Sequence, residues 1–332
     1  MIGHPWAVQL LKKHISMDRV RHAYLFTGPD SVGKRTLALR FAQSLNCERL
    51  SDDFDFCGEC AACRQIENQA YPDVRMLVPT HASEALKVEE MRDLSRWLAL
   101  TPYQAQRRMA ILANFHQANE SAANALLKTL EEPPRHVVLI LTARSTEDLL
   151  PTIVSRCEVL PLRSLPIEEL EEILLQREGA SEWEREVARL SGGNPGTALR
   201  LLSDPEVVEL RSQRLNELLI VLKSNRIDRF AYADGLAKHK EPQERRSQAL
   251  QVLGYWQLIW RDALMQAYGA DVPVQNPDQM EMIERISLRV SEEDALKVIK
   301  KIQRTSEAIQ RNANVRLALE SLMLDLPYLK SG

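Results

Sequence analysis

A glycine-rich loop near the N-terminus constrains the fold of this chain more than any other feature. The run Ala23–Thr27 predicts a buried strand, because it is short, apolar and followed by Gly and Pro. Residues 28–35, GPDSVGKR, then match G-x-x-x-x-G-K, and a helical pattern begins at Lys34. Such a loop can hold phosphates through its backbone N–H groups, with the lysine reaching the outer phosphates. Strand, loop and helix in this order predict a P-loop α/β domain.

The loop departs from the P-loop pattern where magnesium would bind. Arg35 occupies the position of a Ser or Thr hydroxyl that ligates Mg²⁺, and a guanidinium repels the ion. Thr36 lies about 100° further around the helix, so we expect it to point elsewhere. Gly28, Gly33 and Lys34 therefore form a predicted loop remnant. We expect it to bind ATP weakly or not at all, with the Mg²⁺ site lost.

Further apolar runs alternate with helical patterns, which predicts a parallel α/β sheet. These runs are residues 74–78, 109–113, 137–141 and 159–162. A hydrolytic enzyme of this class needs an acid and a water-positioning group after one strand. Residues 109–113 are followed by Asn114 and Phe115, which supply neither, and we expect His116 to be an ordinary loop residue. The sequence therefore predicts no hydrolysis by this chain.

Four of the five cysteines lie close together in the chain. Cys57, Cys60 and Cys63 follow a C-x-x-C-x-x-C spacing, and Cys47 precedes them by ten residues. Four thiolates suit a tetrahedral Zn²⁺ site, and a site with no open position is structural rather than catalytic. Free buried thiols or redox chemistry remain alternatives. Cys157 is expected to be a small core residue.

The pattern changes after about residue 163, where strand signals end and amphipathic helix patterns continue to the C-terminus. A break at residues 268–277 interrupts these patterns. The predicted fold class is a multidomain α/β plus all-α chain. The predicted domains are 1–163, an α/β domain with a zinc module at about 47–63; 164–206, a small helical domain; and 207–332, a larger helical domain.

The charge balance excludes a strongly basic nucleic-acid binder. The chain has 43 Lys and Arg against 46 Asp and Glu, a net charge of −3. We expect the scattered basic side chains to be solvated rather than bound to DNA: Lys12, Lys13, Arg19, Arg21, Arg107 and Arg108. There is no apolar run of 18 residues and no signal-peptide pattern, so we expect a cytoplasmic chain without a membrane span.

Several motifs occur in an order that is known from one family. They are HAYLFTGPDSVGK at 22–34, the four cysteines, SAANALLKTLEEPP at 121–134, and Ser-Arg-Cys at 155–157. The ordered set resembles the AAA+ clamp-loader subunits of bacterial DNA polymerase III, closely over about residues 2–202 and by order and size beyond. The resemblance implies a AAA+ domain, a helical lid and a collar that joins five subunits in a ring.

Within that family, the resemblance favours a non-hydrolysing stator subunit over the ATP-hydrolysing tau/gamma motor. The motor has G-K-T in the loop, an Asp-Glu pair after the third strand and a sensor-2 Arg. This chain has Arg35, Asn114 with Phe115, and Gly196 at those positions. The implied partners are the tau/gamma and delta subunits in a hetero-pentamer, with the sliding clamp and primed DNA reached through the complex.

The resemblance also implies a role for Arg156 of the Ser-Arg-Cys motif. In this family that arginine reaches in trans into the nucleotide site of the adjacent motor subunit, as an arginine finger. The simpler alternative is an arginine that ends a helix at the surface. For the whole chain the alternatives are an unusual tau/gamma-type motor and a zinc-dependent nucleic-acid-binding regulator. Any polymerase activity would belong to the holoenzyme.

Overall fold

The computed structural model describes residues 2–79, 86–178, 181–239 and 241–329. These residues form two compact units. The α/β unit contains the described residues up to 166 together with Asn194–Gly196, and the helical unit contains the others. The three-part division drawn from the sequence stays a prediction.

The α/β unit is built on a five-stranded, entirely parallel sheet with the strand order β2-β3-β4-β1-β5. The strands are β1 (Ala23–Thr27), β2 (Val74–Leu77), β3 (Arg108–Leu112), β4 (Val137–Ala143) and β5 (Glu158–Pro161). All residues of β1, β3 and β4 are buried. Helices cover both faces of such a sheet, which explains why these strands are continuously apolar rather than alternating. The predicted parallel α/β sheet is confirmed.

Helices pack on both faces of this sheet. They are α1 (Pro5–Ser16), α2 (Lys34–Asn46), α3 (Ala61–Glu67), α4 (Val88–Ala99), α5 (Glu120–Glu131) and α6 (Pro151–Val154). Alternate residues of β1 enter two cores: Tyr24 and Phe26 pack with α1, α2 and α3, whereas Ala23 and Leu25 pack with α4 and α5. The sequence patterns did not predict α3, a short helix that contains one cysteine of the cluster.

The rest of the fold is helical. After β5 come α7 (Ile167–Glu178), α8 (Glu182–Leu190), α9 (Pro195–Ser203), α10 (Pro205–Lys223), α11 (Arg226–Leu236), α12 (Pro242–Ala267), α13 (Met280–Arg289), α14 (Glu292–Gln310) and α15 (Val315–Asp325). Helix α12 lies at the centre of the helical core, with Trp256 and Trp260 fully buried. The predicted break lies between α12 and α13. No helix among the described residues combines the length and apolar character needed to cross a membrane.

Arg108 corrects one expectation from the sequence, since it is buried rather than solvated. It is the first residue of β3 and is 7% exposed. Its guanidinium donates to the carbonyl oxygens of Trp97 at 2.6 Å and Thr101 at 2.8 Å, and it stacks on the Trp97 ring. Asp73, which is fully buried, lies 3.5 Å away. Carbonyl and carboxylate partners therefore replace water around this charge.

Candidate functional site

The glycine loop connects β1 to α2 through a backbone that requires glycine at two positions. Gly28 has a φ of 140° and Gly33 a φ of 106°, both in the region that disfavours side chains. A Cβ atom at Gly28 would lie 2.2 Å from the carbonyl oxygen of Leu162. Gly33 is the N-cap of α2, so the loop ends at a helix N-terminus, as the sequence predicts. The local geometry is that of a phosphate-binding loop.

Lys34, however, is directed at the loop itself. Its Nζ donates to the carbonyl oxygens of Gly28 and of Pro29, the latter at 2.8 Å. The residue is only 6% exposed, and this burial lowers the pKa of Lys34. The cation that would meet a phosphate is therefore already satisfied by main-chain oxygens inside the loop.

Two further contacts hold the loop from outside. Arg144, just after β4, donates to the Asp30 carboxylate at 2.8 Å. Burial by itself would raise the pKa of Asp30, but the adjacent Arg144 guanidinium outweighs it and holds that pKa below its usual value. The backbone N–H of Gly196 donates to the Ser31 carbonyl oxygen at 2.8 Å. A Cβ atom at Gly196 would lie 2.8 Å from the same oxygen, so any side chain there would displace either the glycine loop or the backbone around Gly196.

The turn after β3 carries no carboxylate. Asn114 adopts a left-handed conformation and its backbone N–H donates to Thr142 Oγ1 at 2.9 Å. Phe115 is buried in the core at 1% exposure. His116 is partly buried, and its pKa is lowered mainly by burial and then by the Arg144 charge. Within the described part of the chain, its Nδ1 has no hydrogen-bond partner. The turn therefore offers no carboxylate that could ligate Mg²⁺ or accept a proton.

Arg156 lies between α6 and β5, where it makes contacts with two helices. Its Nη1 donates to the Thr152 carbonyl oxygen at 2.7 Å, and its Nη2 donates to Glu131 Oε1 at 2.9 Å. One third of the side chain is exposed. The glycine loop follows the carboxyl end of β1, whereas Arg156 precedes the amino end of β5. Because β1 and β5 are parallel, these two ends lie at opposite edges of the sheet. Arg156 therefore lies at the opposite edge of the sheet from its own chain's glycine loop.

The four clustered cysteines converge in space. The sulfur atoms of Cys47, Cys57, Cys60 and Cys63 all lie within 4.8 Å of one another. Backbone N–H groups point at three of them: Cys47 Sγ accepts from the Cys57 N–H at 3.3 Å, Cys57 Sγ from the Cys60 N–H at 3.3 Å, and Cys60 Sγ from the Cys63 N–H at 3.4 Å. The Glu59 N–H, and after it the Cys60 N–H, favour the Cys57 thiolate and lower the pKa of Cys57 to about 6, whereas burial raises the pKa of Cys47 and Cys63. Four converging sulfurs can hold a tetrahedral metal ion.

The sequence did not predict two ion pairs of the α/β unit, because only the fold brings their members together. Asp30 and Arg144 are 114 residues apart in the chain, and Glu131 and Arg156 are 25 apart. Neither pair has a periodic spacing that would reveal it. Each joins the end of one element to the end of another, so only the sheet order could have indicated it.

Two sequence profiles of one family match most of the chain. The profile described as DNA polymerase III, delta subunit, matches residues 3–166. The profile described as DNA polymerase III, delta subunit, C terminal, matches residues 205–327. The α/β unit and most of the helical unit are thus matched in the order in which they occur here.

Curated relatives agree with these profiles. DNA polymerase III subunit delta' of Bacillus subtilis is 28% identical over 324 residues, which covers 97% of this chain and 95% of the relative. The Pseudomonas aeruginosa subunit delta' is 37% identical over 211 residues, 60% of this chain and 61% of the relative. The tau subunit of Salmonella typhimurium is 34% identical over 206 residues, 61% of this chain but 32% of the relative. The chain therefore belongs to the delta-prime family of DNA polymerase III clamp-loader subunits, a family related to tau and gamma.

Proposed function

We propose that this chain is the non-hydrolysing stator subunit of its clamp loader and supplies Arg156 in trans to a neighbouring ATPase subunit. The observation that carries the proposal is the position of Arg156, part-exposed and at the sheet edge opposite to its own glycine loop. An arginine in that position cannot serve the nucleotide site of its own chain. It can serve a site that an adjacent subunit brings to it.

The contacts of the glycine loop support the proposal that this chain does not hydrolyse ATP. Lys34 is bonded to the loop's own carbonyl oxygens, and Arg35 replaces the magnesium-binding hydroxyl. The turn after β3 offers Asn114 and Phe115 instead of acids. Phosphoryl transfer depends on the lysine, the metal and a positioned water together. Gly28, Gly33 and Lys34 are then a scaffold that binds nucleotide weakly or not at all.

For Arg156, the proposed chemistry is stabilisation of charge on the transferring phosphoryl group. A guanidinium placed in trans adds several orders of magnitude to the rate in well-studied nucleotide hydrolases, about 10³–10⁵. Its fixed charge and planar set of donors suit phosphate oxygens better than a lysine would. Hydrolysis would thereby depend on correct assembly of the two subunits.

For the cysteine cluster, we propose a structural zinc site. Cys47, Cys57, Cys60 and Cys63 provide four sulfur ligands and leave no open position for a substrate. Bound zinc would cross-link α3 and the segment before it to the end of α2. A role in catalysis is not expected.

The proposed assembly is a hetero-pentamer with tau/gamma and delta subunits. The chain would comprise a AAA+ domain at 1–163, a lid at 164–206 and a collar at 207–332 that holds the ring together. The sliding clamp and primed DNA would be reached through the complex, in the cytoplasm at the replisome. The relatives named delta' and tau support this assignment.

The proposal is tested with reconstituted pentamers that contain the wild-type chain, Arg156→Ala or Lys34→Ala. Arg163→Ala is the matched control, because it changes an exposed arginine after β5. Assembly is verified for each, and ATP hydrolysis stimulated by clamp and DNA is measured. We expect Arg156→Ala to remove the turnover of one motor site and the other two variants to retain it. Unchanged turnover with Arg156→Ala would refute the finger, and a large loss with Lys34→Ala would refute the scaffold role of the loop. Mg²⁺-dependent hydrolysis by the isolated chain would favour the motor alternative.

A further inference from the structure

We propose that Glu131 is a positioning residue for Arg156. Its carboxylate orients the guanidinium so that the N–H donors that are not bonded to Glu131 or Thr152 face outward. This inference rests on the proposed function of Arg156 and adds a second residue to it. Nothing in the Ser-Arg-Cys motif points to Glu131, which belongs to a different element. The contact arises because α5 ends beside α6 in the fold.

The geometry around the guanidinium is directional. Nη2 donates to Glu131 Oε1 at 2.9 Å, Nη1 donates to the Thr152 carbonyl oxygen at 2.7 Å, and Ser155 Oγ lies 3.5 Å from Nη1. Arginine has five N–H donors in one plane. Among the described residues, Nε and the remaining hydrogens have no acceptor, and one third of the side chain is exposed. The guanidinium is thus held along part of its edge and keeps donors available for an outside acceptor.

The position of Glu131 argues that its carboxylate is placed for a purpose other than helix stability. Glu131 is the last residue of α5. A negative charge at a helix C-terminus opposes the helix dipole, and acids are favoured at the other end. The buried face of α5, including Leu126 and Leu130, fixes the helix end in place. A rigid element therefore presents a locally unfavourable carboxylate directly to Arg156.

A purely structural ion pair would explain the contact less well. Glu131 is about half exposed, and ion pairs at that exposure contribute little to stability. Orientation, in contrast, matters strongly for a group that acts on a reacting centre. A restrained arginine also loses less side-chain freedom when a phosphate binds. The carboxylate cannot neutralise the guanidinium by taking its proton, because arginine stays charged.

The test is a double-mutant cycle in the reconstituted complex, with Glu131→Gln, Arg156→Ala and the two combined. Glu132→Gln is the control, because Glu132 is the adjacent, exposed acid and has no ion pair among the described residues. We expect Glu131→Gln to lower kcat for the Arg156-dependent part of ATP hydrolysis about two- to fivefold, with KM little changed. Combined with Arg156→Ala, it should cause no further loss.

The outcomes separate the two proposals. If Arg156→Ala leaves turnover unchanged, the finger itself fails and Glu131 has nothing to position. If Arg156→Ala lowers turnover but Glu131→Gln behaves like Glu132→Gln, only the positioning role is overturned. If Glu131→Gln lowers turnover equally with and without Arg156, the carboxylate acts independently of the arginine and the inference is also overturned.

A second readout uses the isolated full-length chain and does not depend on assembly. Hydrogen exchange of the Arg156 side-chain N–H groups is measured by NMR in wild type, Glu131→Gln and Glu132→Gln. We expect faster exchange of these protons only in Glu131→Gln, because the charged acceptor restrains them. Equal exchange in all three proteins would overturn the inference.

Discussion

Arg229 in α11 illustrates what a single buried charge does in the helical unit. It is 5% exposed, and no carboxylate accepts from its guanidinium among the described residues. Instead it donates to carbonyl oxygens at the C-terminal ends of α10 and α15, those of Val221, Leu222, Ser224, Met323, Leu326 and Pro327. Helix C-termini carry partial negative charge and leave carbonyl groups unpaired. One arginine therefore satisfies the ends of two helices.

We expect Arg229→Met to lower the free energy of unfolding by about 3 kcal/mol or more, because several buried carbonyl groups would lose their donor at once. Urea unfolding and hydrogen exchange of α10 and α15 would measure the effect. Arg226→Met is the matched control, since Arg226 is exposed on the same helix. A loss below about 1 kcal/mol would show that water or neighbouring groups replace the guanidinium.

Gly196 has a structural constraint that the sequence alone does not show. The resemblance identifies it as the place of a missing sensor-2 arginine. The structure adds a physical reason, because its backbone N–H bonds to Ser31 and a Cβ atom there would come within 2.8 Å of the loop. Restoring an arginine side chain at this position would therefore first have to move the backbone.

At the scale of elements, α3 depends on its neighbours for stability, and it carries a proposed zinc ligand. It has seven residues, too few for a helix to be stable alone. Cys60 is its N-cap and Cys63 lies in its first turn, so two sulfurs fall at the helix start. A metal held by these two sulfurs and by Cys47 and Cys57 would anchor α3 to the end of α2.

We expect purified, reduced protein to contain about one equivalent of zinc. Cys60→Ala should lose the metal and lower the melting temperature of the α/β unit. Cys157→Ala, which changes the one cysteine outside the cluster, should retain the metal. Metal analysis together with thermal unfolding checks both statements. Well under one equivalent of metal in the wild-type protein would argue for four free thiols instead.

At the scale of the whole molecule, partly buried histidines link stability to pH. Burial lowers the pKa of His14, His22 and His116 below the usual value of about 6.5. The unfolded chain therefore binds protons that the folded chain does not as the pH falls through that value. Stabilisation is complete above it and decreases below it.

We accordingly expect the free energy of unfolding to be lower at pH 5.5 than at pH 7.5, and His116→Gln to reduce this difference. The carboxylates with lowered pKa, such as Asp30, contribute only at more acidic pH. The lowered pKa of Cys57 also reduces stability as the pH falls towards 6, so the difference between the wild type and His116→Gln isolates the histidine part. Urea unfolding of both proteins at pH 5.5 and 7.5 measures it. Equal stability at pH 5.5 and 7.5 would contradict the expectation.

The sequence by itself determined the parallel sheet, the glycine loop that ends at α2, the break after α12 and the grouping of the four cysteines. These features are written in local patterns, since helix and strand periods, turn glycines and ligand spacing involve residues that are close in the chain. Family membership followed from the same motifs in order. Arg108 was the error, because a basic residue at a strand start gives no sign of the aromatic ring and carbonyls that bury it.

Only the tertiary structure decided which charges meet. The pairing of Arg156 with Glu131, of Arg144 with Asp30, and the contact of Gly196 with the loop join the ends of separate elements. The placement of Arg156 at the sheet edge away from its own loop depends on strand order and direction. Side chains at element ends obey no period, so their partners are set by how the elements pack, and packing is a property of the whole fold rather than of any one segment.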